Sequence, residues 1–137
     1  MIDHLTRTVR DVDKSAGFFS RALLPLGYSV LMRFEGYVGF GAKRKPYFWL
    51  KPGEVPTTPM HLAFVALSRA AVDAFYAEAL AAGATDNGPP GVRADYHPHY
   101  YAAFVVDPDG HPIEAVCHAP PKAKPKRRPA PKKRPRR

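Results

Sequence analysis

The sequence predicts an α+β fold of paired βαβββ modules, about residues 1–51 and 60–118, closing a curved mixed sheet with the helices outside. Three observations predict it. First, a segment near the start is repeated 57 positions later, placing His4 on His61, Phe18-Phe19 on Phe75-Tyr76 and Leu23 on Leu80. Second, each copy passes from alternating apolar and polar residues to helical spacing, then to short strands with turn residues between them. Third, charge is segregated. Ten of the 21 Lys and Arg fall between Pro120 and Arg137 and none of the 12 acidic residues does, so the body carries eleven basic against twelve acidic groups.

The elements follow in order. Strands are expected at about residues 2–9 and 60–67. Asp11 and Ser68 are placed to accept the first free N–H groups of the helices that follow. Phe18, Ala22 and Leu26 form one apolar stripe, and Val72, Phe75, Tyr76, Ala79 and Leu80 form its counterpart. Gly27 and Gly83 are helix stops. Three short strands are expected at about 28–34, 37–42 and 46–51. A Pro-rich linker, Pro52–Pro59, then joins the modules. The second copy is loop-rich over 84–99, with one weakly signalled strand near 91–95. It ends on strands 101–106 and 112–117, joined by the turn Asp107-Pro-Asp-Gly110. The domain is thus residues 1–119. Residues 120–137, rich in Lys, Arg and Pro with no large apolar side chain, are expected to be a disordered, extended tail.

A single cysteine, Cys117, excludes an intrachain disulfide and reads as a small core residue. The N-terminus lacks the apolar segment of a signal peptide, and no apolar stretch approaches the roughly 18–20 residues of a membrane span. A soluble, cytoplasmic protein is expected.

Alternation along the first strand puts His4, Thr6 and Thr8 on one face; His61, Ala63 and Val65 share the equivalent face of the second copy. Glu114, in an otherwise apolar strand, is expensive to bury without a partner. Two imidazoles and a carboxylate converging from three strands suit Fe, Mn, Ni, Zn or Co as the divalent ion and leave positions open for substrate. The plainer reading makes both histidines hydrogen-bonded core residues and Glu114 a surface group. The repeat favours ligation, because polar residues at equivalent inward positions of both copies need a shared reason.

Over about residues 1–118 the sequence resembles the vicinal oxygen chelate superfamily, which includes glyoxalase I, fosfomycin-resistance and bleomycin-resistance proteins and extradiol dioxygenases. The resemblance rests on Ile2-Asp3-His4, Phe18-Phe19, Leu24-Pro25-Leu26-Gly27-Tyr28, Met60-His61-Leu62-Ala63-Phe64, and Asp107-Pro108-Asp109-Gly110 leading to Ile113-Glu114. It implies paired modules around a metal-binding groove, with His4, His61 and Glu114 where the family's metal ligands fall. The strand that carries a fourth ligand in glyoxalase I type enzymes reads Tyr47-Phe48-Trp49-Leu50 here and offers none. Arg7 stands at a usually apolar position and needs a partner.

In that fold the segment Asp95-Tyr-His97-Pro-His99-Tyr100-Tyr101 borders the groove. His97 or His99 is expected as general acid or base, and Tyr101 as a group holding an oxyanion. Thr6, Trp49 and Tyr100 are the expected substrate contacts. His111 and His118 read as turn and strand-end residues. The function these readings imply is a metal-dependent enzyme acting on a small molecule, as lyase or isomerase, thiol transferase or dioxygenase. The metal would chelate vicinal oxygens and stabilise an enolate or oxyanion, and a homodimer is expected. A non-catalytic small-molecule binding protein of the same fold is the alternative. The tail adds a further possibility, weak and non-specific association with nucleic acid or another polyanion, without base reading.

Overall fold

The computed structural model describes residues 1–122, so the tail expected at 120–137 lies, beyond Lys122, outside the described residues. The chain runs β1 (Leu5–Val9), α1 (Val12–Leu23), β2 (Ser29–Phe34), β3 (Tyr37–Ala42) and β4 (Lys45–Pro52), then β5 (Leu62–Val65), α2 (Arg69–Ala81), β6 (Thr85–Asp86), β7 (Gly91–Val92), β8 (Tyr101–Val106) and β9 (Pro112–Cys117). Asp11 caps α1 by accepting from the Lys14 N–H at 2.9 Å, and Ser68 caps α2 from the Ala71 N–H at 3.1 Å. Helix α1 stops before Pro25, and a 3-10 turn over Leu24–Leu26 carries the chain to Gly27, whose φ of 85° ends it.

The strands form two open mixed sheets rather than one, ordered β1-β4-β3-β2 and β5-β9-β8-β6, with β7 also paired to β8. In each, the first strand of the module runs parallel to the last, β1 beside β4 and β5 beside β9. The strand expected near 91–95 is reduced to β7, and a second two-residue strand, β6, forms at Thr85–Asp86 in the stretch read as loop; the Pro- and Gly-rich run Gly88–Gly91 breaks the ladder between them. That insertion explains where the repeat fades. From Leu5 to Leu62 the copies differ by 57 positions, but their register partners Phe48 and Ile113 are 65 apart.

Each sheet is covered on one face by its helix, and the helix-covered faces share one core. Phe19 packs edge-on to Phe48 at 4.9 Å between ring centroids, and Phe48 likewise to Phe64 of the other sheet at 5.5 Å. Such aromatic pairs add about 0.5–1.5 kcal/mol each beyond their buried area. The helices touch, and Arg21 of α1 donates to Glu78 of α2 at 2.8 Å. These two residues are 57 apart, equivalents in the repeat. Equivalents meet only near an axis relating the copies, so that axis passes between the helices.

Arg7 points into this core and finds its partner: it donates to Asp107 at 2.8 Å, with both side chains 2% exposed, and to the Met60 carbonyl at 3.1 Å. Burial pulls the Arg7 pKa down and the Asp107 charge opposes the shift. Asp107 also accepts the backbone N–H groups of Asp109 and His111, while His111 Nδ1 accepts the Met60 N–H at 3.1 Å. One buried cluster therefore ties β1, the inter-module linker and the turn before β9. Cys117 is buried in the core.

Candidate metal and small-molecule site

Alternation decides what the faces opposite the helices carry; the first sheet's is open and the second's is partly covered by the segment 93–100. On β1, Arg7 and Val9 are buried while Thr6 and Thr8 turn out. On β9 every residue from Ile113 to Cys117 is buried, Glu114 among them, and its register partners are Ala63 on β5 and Phe104 on β8.

Glu114 is the centre of the second sheet's face opposite α2. Its side chain is 4% exposed, so both carboxylate oxygens need partners. Oε2 lies 2.7 Å from His61 Nε2, and Oε1 accepts the Tyr100 hydroxyl at 2.5 Å. A carboxylate only accepts, so His61 Nε2 carries a proton in this arrangement. Burial first, then the hydrogen bond and charge of Glu114, push the Tyr100 pKa up to about 12. The His61 ring itself is half exposed, so the pair opens to solvent on the imidazole side.

Tyr100 is walled by other rings: Tyr96 at 4.8 Å, His118 at 5.3 Å and His97 at 5.4 Å between centroids. His97 Nδ1 accepts the His99 backbone N–H at 3.0 Å. Its proton therefore sits on Nε2, which lies 2.7 Å from His118 Nδ1 and donates to it. This fixes both tautomers and leaves the proton of the neutral His118 ring on Nε2. His118 read from sequence as a strand-end residue; its partner lies 21 residues away, and no local pattern signals such a contact.

The first sheet's open face has a different character. Trp49 is the register partner of Thr6, as Glu114 is of Ala63, so an indole stands where the other module has its carboxylate. The indole lies against Gly39, where a Cβ would come within 2.8 Å of its ring. With Phe34, Tyr37, Pro46, Thr6 and His4 it lines a cavity of about 570 Å³. His4 Nδ1 bonds its neighbour Asp3 at 2.9 Å, and Asp3 also pairs with Lys45. Those two partners hold the exposed Asp3 carboxyl below the usual carboxylate range.

The expected residues thus fall into separate sets. His61, Glu114 and Tyr100 are together, beside His97. His4, Thr6 and Trp49 are together on the other sheet. His4 does not join His61 and Glu114 within the chain, and among the described residues no group of three His, Cys, Asp or Glu is close enough to hold a metal ion. His4 instead lines, with Leu5, Leu62, Ala63 and Phe64, a cavity where β1 meets β5. Tyr101 turns from the open face toward α2, where its hydroxyl donates to Asp73 at 2.7 Å and its ring packs under Arg69. His99 contributes only its backbone N–H to the cluster.

Solved structures of similar shape were found. A glyoxalase/bleomycin resistance protein from Albidiferax ferrireducens T118 is 27% identical, with a TM-score of 0.72 over 84% of this chain and 96% of that one. A putative glyoxalase from Bacillus halodurans is 25% identical, with a TM-score of 0.64 over 85% of this chain and 95% of its own. The fosfomycin resistance protein FosX from Mesorhizobium loti is 18% identical, with a TM-score of 0.65 over 85% and 91% of the two chains, and shares the fold. No curated protein sequence matches the chain. The profile of the Glyoxalase/Bleomycin resistance protein/Dioxygenase superfamily matches residues 1–115, and with its paired modules and open faces the chain belongs to that superfamily.

Proposed function

We propose that the protein is a metal-dependent enzyme of this superfamily that acts on a small molecule, with a divalent ion held by His61 and Glu114 of one chain and His4 of a second copy. The observation that carries the reading is Glu114: a buried carboxylate whose one oxygen faces a half-exposed imidazole at 2.7 Å. The donor set fits a first-row ion, since imidazole and carboxylate are its ordinary ligands. His4, on the open face of the other sheet, is the remaining donor. A homodimer that sets the first module of one copy against the second module of its partner would complete the set.

The bound ion would supply Lewis acidity toward adjacent substrate oxygens. His61 must release its Nε2 proton for that nitrogen to act as a ligand. The aromatic cavity of about 570 Å³ around Trp49 would seat an apolar or aromatic part of the substrate, with Thr6 as a hydrogen-bonding group. His97 has both ring nitrogens engaged, which leaves His118 Nε2 and the His99 ring as the groups free to exchange a proton with a bound molecule. The test is equilibrium dialysis of the full chain against Mn, Co, Ni and Zn, followed by metal analysis. Wild-type protein is expected to retain an ion that Glu114→Gln and His61→Ala do not. A wild-type protein that retains none overturns the reading.

A further inference from the structure

Resting on that reading of His61 and Glu114, we propose that Tyr100 is a positioning residue that makes Glu114 a one-oxygen ligand. Its hydroxyl occupies Oε1 at 2.5 Å, and only Oε2 is turned toward His61 Nε2, at 2.7 Å. A carboxylate free on both oxygens can clasp a cation with two; one whose second oxygen accepts a short O–H bond presents one. The carboxylate lies in a side chain 4% exposed, so water cannot readily take the place of the tyrosine.

The tyrosine is itself held. Its loop is closed by backbone bonds, Arg93 N–H to the Tyr100 carbonyl at 2.7 Å and Tyr100 N–H to the His97 carbonyl at 3.1 Å. The hydrogen-bonded His97 and His118 rings stack at 5.0 Å and both meet the Tyr100 ring edge-on. The same cluster is not a second cation site through His97. Its Nδ1 accepts from the His99 N–H, which leaves the proton, not the lone pair, on Nε2. Its place is behind Glu114, steadying the group that bonds it. Outer partners of this kind govern metal affinity by about 10–100-fold.

The experiment is cobalt(II) titration of the full-length wild type, Tyr100→Phe and Glu114→Gln, followed by calorimetry and visible absorption. Phenylalanine keeps the ring packing and every backbone bond of the loop, so the variant should fold, and circular dichroism checks this. Cobalt binding is expected to weaken about tenfold or more in Tyr100→Phe. Its visible band is also expected to lose intensity as Glu114 gains a second bond and the coordination number rises. Equal affinity and an unchanged band in Tyr100→Phe, with Glu114→Gln binding no cobalt, would overturn the role of Tyr100 and leave the metal reading standing. If the wild type binds no cobalt, the metal reading fails and this inference falls with it.

Discussion

Glu114 and Trp49 stand at one register position in two related sheets, opposite Ala63 and Thr6. The carboxylate needs partners on both oxygens and has them in His61 and Tyr100; the indole needs a flat floor and has it in Gly39. Two predictions belong to single residues. Because the Tyr100 pKa is raised above its unfolded value of roughly 10, its hydrogen bond contributes stability fully present below about pH 10. That contribution is lost as pH rises through about 12. In an alkaline absorbance titration, Tyr100→Phe should remove one late-ionising tyrosine. Arg7 and Asp107 are both 2% exposed, so Asp107→Ala leaves a buried guanidinium without its counter-charge. It should cost about 3–5 kcal/mol in urea denaturation, with a smaller cost when Arg7→Met accompanies it.

At the level of elements, β3 and β4 are matched by one contact. Gly39 leaves the space that the Trp49 ring fills, and an alanine Cβ there would meet that ring at 2.8–3.0 Å. Gly39→Ala should therefore lift the indole off the sheet. Trp49 is the only tryptophan, so its emission reports the change directly as a shift to longer wavelength. The helices are set by local chemistry, and removing the cap with Asp11→Ala should cost about 1 kcal/mol in thermal or denaturant unfolding. Strands β6 and β7 owe their shortness to a Pro- and Gly-rich run. The segment after it, 93–100, uses its backbone bonds to fold over Glu114 instead of extending the sheet.

For the whole molecule, the proposed dimer has a test that no single chain can imitate. His4→Ala and His61→Ala homodimers should each lack a complete metal site. Mixed and re-equilibrated, they should recover one site per heterodimer, formed by His4 of one copy with His61 and Glu114 of the other. Metal analysis of the mixture against each variant alone checks it. The charge balance sets a second expectation: the body holds nearly equal acidic and basic groups, so deleting 120–137 should abolish retention on a polyanionic column at physiological salt.

Sequence by itself determined the modules, since caps at Asp11 and Ser68, helical stripes and turn residues act within a few positions and leave a local pattern. It also marked Glu114 as an acid in an apolar strand that needs a partner if buried, and the resemblance grouped it with His61; the structure buries it against that ring. Which groups meet was a different matter. Arg7 reaches Asp107 across 100 residues, His97 reaches His118 across 21, and Tyr101 differs from Tyr100 only in the face its strand position selects. The separation of His4 from His61 was likewise decided by tertiary structure. The repeat makes the two histidines equivalent, but equivalence fixes neither distance nor orientation. The packing of α1 on α2, joined by Arg21 and Glu78, and of Phe48 on Phe64 sets both.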